Sequence, residues 1–265
     1  MAQKGRLKKV DQEYRFIILC KFIYTFKYVT RKELDRFVSV IMGIKYPQWL
    51  IEYSVVRGLV KTYSDTTFRT KIYYLSDNGV GIIGGTERLA DYYRFEKDRT
   101  GLNTYVHHLL LVETYILLKK QFNIKEWVSE WGIKVGKRRF EKLPDGLVKF
   151  DNGLNIALEA ETSYKRLPVW KWFVKRYEYD ILKRGRYDGL LLVAARRGAL
   201  KSIIIRVVEM DPEFCNSSFI FTDPAMSKTG ECFYNNGVKY IQDALNLLKE
   251  EVDERKEANP AYGKY

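Results

Sequence analysis

Residues 142–166, KLPDGLVKFDNGLNIALEAETSYKR, limit this chain's fold more than any other stretch. Two apolar runs flank Asp151-Asn152-Gly153, a hairpin-turn signal that allows two registers. A two-residue Asn-Gly loop pairs Asp151 with Leu154, puts Asp145 and Glu159 on opposite faces, and mixes apolar with polar side chains on each. A three-residue loop, with Gly153 left-handed, pairs Phe150 with Leu154 instead. Val148, Phe150, Leu154, Ile156 and Leu158 then share one face. Asp145, Lys149, Asn155, Glu159 and Glu161 share the other, with Leu147 and Ala157 between them. A slip of one residue inverts both faces, so burial selects the second register.

In that register Asp145 stands across from Glu159, with Cβ atoms about 5 Å apart, and Glu161 lies two residues further along the same face. Like charges at this spacing repel unless a cation sits among them. A hard divalent ion with oxygen ligands, Mg²⁺ or Mn²⁺, resolves the repulsion. The plainer alternative is that Glu159 and Glu161 pair with Lys142, Lys165 or Arg166.

The acids are conspicuous because the chain is basic, with 46 Lys and Arg against 33 Asp and Glu and a net charge of +13. A soluble chain of this charge most often meets phosphate. Residues 1–100 carry +8 of that charge, 19 Lys and Arg against 11 Asp and Glu. The three cysteines include no CxxC pair and the chain has two histidines, which argues against a structural zinc site. Asp11, Glu13, Arg15, Lys21 and Lys27 interrupt any signal-peptide core, and no apolar run spans a bilayer. The expectation is a cytoplasmic protein with no membrane partner.

The front of the chain reads as three helices and a hairpin. The periodicity predicts a helix over 13–29 and another from Arg31 to Gly43, opened by a Thr30–Glu33 capping box. A third runs from Pro47 to Arg57, and two strands follow within 60–79. That order is the order of a winged helix-turn-helix, whose third helix enters the major groove. Gln48, Trp49, Glu52 and Tyr53 then face the groove, and Lys61, Arg69 and Lys71 lie on the wing. MAQKGRLKKV is expected either as a basic arm or as a solvated terminus. A helical bundle with a protein-binding hairpin is the competing reading.

Residues 86–99 read as a connector helix, and Thr100-Gly101 as a boundary between domain 1–100 and domain 101–254, with 255–265 a flexible tail. The second domain alternates helix and strand, which predicts an α/β sheet. The expected order is a helix at 103–121, strands near 126–135 and through the hairpin, then a helix at 168–184. A strand GLLLVAA, a helix at 198–208, a strand SFIFTD and a last helix at 237–254 follow. His107 and His108 point in different directions from one helix and are expected to pack rather than ligate.

The hairpin's Pro144-Asp145-Gly146 and Glu159-Ala160-Glu161 resemble the PD-(D/E)XK phosphodiesterase pattern, and the element order resembles its restriction-endonuclease-like αβββαβ core. Over residues 13–223 the chain, with HHLLLVETY, PDG, LEAET, KRYEY and YDGLLLVA, is similar to the replication-relaxation family of plasmid and mobile-element proteins. The resemblance implies a DNA-processing protein of a plasmid, phage or integrative element. Asp145 and Glu159 would hold Mg²⁺ or Mn²⁺, Glu113 would be a supporting acid, and an activated water would attack a phosphodiester of double-stranded DNA. Glu161 fills the position usually taken by lysine, so Lys175 or Lys165 would have to supply that charge. The alternative is a site without chemistry, in a DNA-binding regulator or a replication or mobilisation accessory factor. On the helix WKWFVKRYEYDILKRGR, Lys171, Lys175, Arg176, Lys183 and Arg184 are expected to face phosphates, or simply water. The sequence leaves a homodimer open.

Overall fold

The computed structural model describes residues 2–66, 69–84, 102–122, 124–134, 143–163 and 165–259. By contacts the chain divides into two compact units, Met1–Leu102 and Asn103–Tyr265. The connector helix expected at 86–99 and the boundary expected at Thr100-Gly101 lie outside the described residues. Among the described residues, no helix is long and apolar enough to cross a membrane.

The first unit opens with helix α1, Ala2–Phe26, so the segment considered as a basic arm is the start of a helix. Phe16, Leu19, Cys20, Ile23 and Phe26 form its buried stripe. The helix ends three residues earlier than periodicity predicts. Lys27 turns left-handed at φ 64°, and Tyr28–Thr30 becomes a short strand, β1. Helix α2, Arg31–Arg36, starts on the expected cap, where the Thr30 backbone N–H donates to Glu33 Oε2 at 2.7 Å. It runs on into a π-helical turn, Phe37–Ile41.

Helix α3, Gln48–Val56, buries Leu50, Ile51 and Ser54 and stops before Gly58, whose φ of 67° favours glycine. Strands β2, Val60–Asp65, and β3, Thr70–Leu75, form the hairpin, and β1 pairs with β3 to make a sheet of order β1-β3-β2. Helix α4, Asp77–Ile82, follows.

The second unit is mixed α/β. Its elements begin with helix α5, Leu102–Gln121, strand β4, Ile124–Ser129, and a short helix α6, Glu130–Lys134, where a continued strand was expected. The hairpin is β5, Gly146–Phe150, and β6, Asn155–Glu161. Helix α7, Leu167–Glu178, passes through a π turn, Tyr179–Lys183, to β7, Gly189–Ala194. Helices α8, Arg197–Val208, and α9, Pro212–Ser218, lead to β8, Phe219–Thr222. Helix α10, Pro224–Thr229, precedes strands β9, Glu231–Tyr234, and β10, Gly237–Tyr240.

Helix α11, Ile241–Ala258, begins four residues later than expected, because Asn235 and Asn236 are both left-handed and turn β9 back into β10. It also claims residues 255–258 from the expected tail.

These strands form one seven-stranded mixed sheet, ordered β10-β9-β8-β7-β6-β5-β4. Strands β6, β7 and β8 run parallel, and the outer pairings are antiparallel. One face packs Val148, Phe150, Ile156 and Leu158 against Leu110 and Leu118 of α5 and Leu245 and Leu248 of α11. The other packs Ala157, Leu190 and Leu192 against Trp170, Phe173 and Tyr177 of α7 and Leu200 and Ile203 of α8. Burial on both faces explains why β7 is an unbroken apolar run. Gly189 allows this packing, since a Cβ there would sit 2.7 Å from Leu248 Cδ2.

Candidate functional site

The hairpin takes the three-residue register. Phe150 N–H donates to the Leu154 carbonyl at 2.9 Å, Gly153 adopts φ 89°, and the ladder continues to Gly146 opposite Leu158. In an antiparallel ladder hydrogen-bonded pairs recur every second residue. The next such pair would be Pro144 with Ala160, but proline has no N–H to give. The Asp145 carboxylate completes the edge instead, with Oδ2 accepting the Ala160 N–H at 2.9 Å. Sequence Pro-Asp-Gly therefore ends the ladder and fixes an acid beside the end of β6.

That end is also the carboxyl end of the parallel strands, where open α/β sheets place their ligands. Glu159, only 5% exposed, lies there with its Oε1 accepting the Tyr177 hydroxyl from α7. Burial and then the Glu159 charge push the Tyr177 hydroxyl well above its ordinary range, so it remains a donor. The charge of Asp145 reaches the same hydroxyl.

His107 completes the group. Its Nε2 lies 2.9 Å from Asp145 Oδ2. Burial by itself lowers the imidazole's pKa, but the hydrogen bond and charge of Asp145, with Glu130 and Glu159, raise it above the ordinary 6.5. The expectation of a packing role for His107 is thus corrected. Glu130 is held nearby, its backbone N–H donating to the Asp145 carbonyl at 2.9 Å. Glu130 carried no local motif, and HHLLLVETY and KRYEY contain His107 and Tyr177 without pointing either at the acids. Each reaches the acids only through tertiary structure.

The expected convergence of three acids is reduced to two. Glu161 is buried, but its Oε1 accepts the Ser163 N–H at 3.1 Å and its Oε2 pairs with Lys165. The ion-pair alternative therefore holds for Glu161. Among the described residues no three His, Cys, Asp or Glu side chains form a metal-ligand cluster. Glu113 is on α5 but six residues past His107, about 9 Å further along the axis and a third of a turn around. A Mg²⁺ ion of the kind that takes one or two carboxylates and keeps water and phosphate as its other ligands would need no protein acids beyond Asp145 and Glu159.

The expected cations of α7 divide. Lys175 is exposed and lines a groove with Leu167, Lys171, Met210 and Asp211. It sits about 200° around the helix from Tyr177, so it does not face the acids. Arg176 is corrected as a phosphate contact. Its Nε lies 2.8 Å from the buried Asp180, which Arg184 and Arg186 also approach at 3.8 and 3.7 Å. A buried carboxylate needs such partners. Lys171 and Lys183 are exposed.

In the first unit, Gln48, Trp49, Glu52, Tyr53 and Val56 form the exposed face of α3, and Lys61, Arg69 and Lys71 are exposed on the hairpin. Arg69 holds a left-handed φ of 48° at its tip.

Tyr177→Phe removes the hydroxyl donor of a buried carboxylate and should cost about 1.5–3 kcal/mol. Urea denaturation of the variant measures this, and an unchanged midpoint would show that Glu159 does not depend on that bond. Compared with known protein families and with proteins of curated function, the chain matches none.

Proposed function

We propose that the chain binds double-stranded DNA and presents to it a Mg²⁺-dependent phosphodiesterase site built on Asp145 and Glu159, giving an endonuclease or nicking activity. The observation that carries this reading is that Asp145, just before β5, and Glu159 of β6 meet at the carboxyl end of the parallel strands, where Asp145 accepts the Ala160 N–H and both charges reach the Tyr177 hydroxyl. The order α5, β4, β5, β6, α7, β7, with the short α6 inserted between β4 and β5, supports a restriction-endonuclease-like core. In the first unit, α1 to α3 and the hairpin with its third strand support a winged helix. A service to plasmid or other mobile-element DNA is the context the resemblance suggests.

Each acid has a defined part. Ala160 N–H fixes the Asp145 carboxylate, and Tyr177 fixes Glu159. His107 holds a proton at Nε2 against Asp145 whenever the imidazole is charged. When bound, the ion would polarise the phosphoryl oxygen and offset the charge that develops there.

A second reading, a DNA-binding regulator or replication and mobilisation accessory factor without chemistry, is favoured by one observation. Glu161 occupies the usual lysine position and is already neutralised by Lys165. Incubating supercoiled plasmid with Mg²⁺ or Mn²⁺, with EDTA and Glu159→Gln as controls, separates the two. Relaxed plasmid only with active protein and metal supports the first, and intact plasmid with a duplex mobility shift supports the second.

Duplex binding itself has a quantitative signature. Replacing Lys61, Arg69 and Lys71 with alanine should weaken binding and flatten the log affinity against log salt plot by about 0.9 for each phosphate that is no longer neutralised. An unchanged slope would remove the hairpin from the interface.

A further inference from the structure

Past the carboxyl ends of β6 and β7 lies a cavity of about 390 Å³ that the acid pair does not use. Its volume falls within the roughly 300–1,000 Å³ of small-molecule sites. Three cations line it, Lys165, Arg196 and Arg206, and three hydroxyls, Thr162, Ser163 and Ser202. Among the described residues, no Asp or Glu lines it. Trp170 and Ile203, both buried, form an apolar wall.

The first turn of α8 also opens onto this space. Gly198 and Ala199 belong to the lining, and the N-cap position is Arg196, whose side chain supplies no acceptor to the first-turn N–H groups. A helix of 12 residues concentrates partial positive charge at that end. A Cβ on Gly198 would meet nothing within 4 Å, so the turn faces open room. Cations, hydroxyls, a helix start and an apolar wall converge on one half-open cavity.

We propose that this cavity binds a phosphate ester of mononucleotide size, with the phosphate against Arg196, Lys165 and the first turn of α8. Lys165 already meets Glu161, so a bound phosphate would share that ammonium group and tie the cavity to the end of β6. Two sources offer the same chemistry, the phosphorylated end of a nucleic-acid strand and a free nucleotide. The proposal does not depend on metal binding or cleavage at Asp145 and Glu159.

Calorimetric titration of the full chain with thymidine 5′-monophosphate, in EDTA and low salt, tests it. Saturable binding is expected, with thymidine at least about tenfold weaker because it lacks the charge-assisted bonds. Arg196→Ala, at an exposed position, should weaken binding about tenfold. Gly198→Leu, which fills the open room without changing charge, should do so at unchanged helical content.

Displacement of the nucleotide by a 5′-phosphorylated but not a 5′-hydroxyl single strand assigns the source to strand ends, and no displacement by either assigns it to nucleotides. Non-saturable binding, or wild-type affinity in both variants, would overturn the proposal and leave diffuse attraction to a basic surface. EDTA keeps this readout separate from any failure of the acid pair to take metal.

Discussion

Asp145→Ala should abolish metal-dependent nicking of supercoiled plasmid, with a loss on the order of 10³-fold. Several kcal/mol of charge stabilisation by a metal ion correspond to that factor. The same change strips the Ala160 N–H of its acceptor and His107 of its partner. Leaving such a donor unsatisfied costs about 1–3 kcal/mol, so the variant should also melt earlier. Asp145→Asn separates the two effects. The amide oxygen can still accept from Ala160 while the charge is gone, so stability should largely return and cleavage should not. Nicking that persists in both variants would remove Asp145 from the chemistry, whatever the fold does.

The hairpin was legible because two constraints agreed. Only one register puts Val148, Phe150, Ile156 and Leu158 on a single face, and Gly153 can supply the left-handed residue that register needs. The placement of Asp145 beside Glu159 followed directly. What the local pattern could not show was which partners would reach those acids. His107 arrives from 38 residues upstream and Tyr177 from 18 residues downstream of its acid, and neither distance leaves a periodic trace.

Glu161 is instructive in another way. Strand alternation put it on the right face, but Lys165 four residues on provides a short-range partner that claims its charge. The strands β9 and β10 were missed for a third reason. Their turn, Asn235-Asn236, lacks glycine, although asparagine tolerates the left-handed region better than most residues. At β1 the helical periodicity of α1 runs on past Phe26, and the left-handed Lys27 with the pairing to β3 ends it.

The arrangement also shows how a chain of +13 accommodates buried and half-buried acids. Glu161 pairs with Lys165, Asp180 gathers three arginines, and Asp145 meets His107. Glu159 accepts the Tyr177 hydroxyl. A hydroxyl bond orients a carboxylate without cancelling its charge. The position of Tyr177 therefore helps to set the direction of the Glu159 carboxylate.

That position rests on Phe219, which makes the largest stability prediction. The ring is fully buried at the start of β8. It meets Phe214 at 5.1 Å, Phe221 at 5.9 Å, Tyr177 at 6.3 Å and Phe173 at 6.4 Å between centroids, all steeply inclined. Phe219→Ala should cost about 3–5 kcal/mol, from lost burial and the cavity left among rings that cannot all collapse inward. For a unit of this size that lowers the melting temperature on the order of 10 °C.

Four of the five tryptophans, at 127, 131, 170 and 172, lie in the second unit, so their fluorescence reports its unfolding. Phe219→Leu keeps most of the volume and should recover much of the loss. A cost below about 1 kcal/mol for the alanine variant would fall outside the range for truncating a buried aromatic. Tyr177 would then owe its place to α7 alone, and the ring cluster would have no part in holding Glu159.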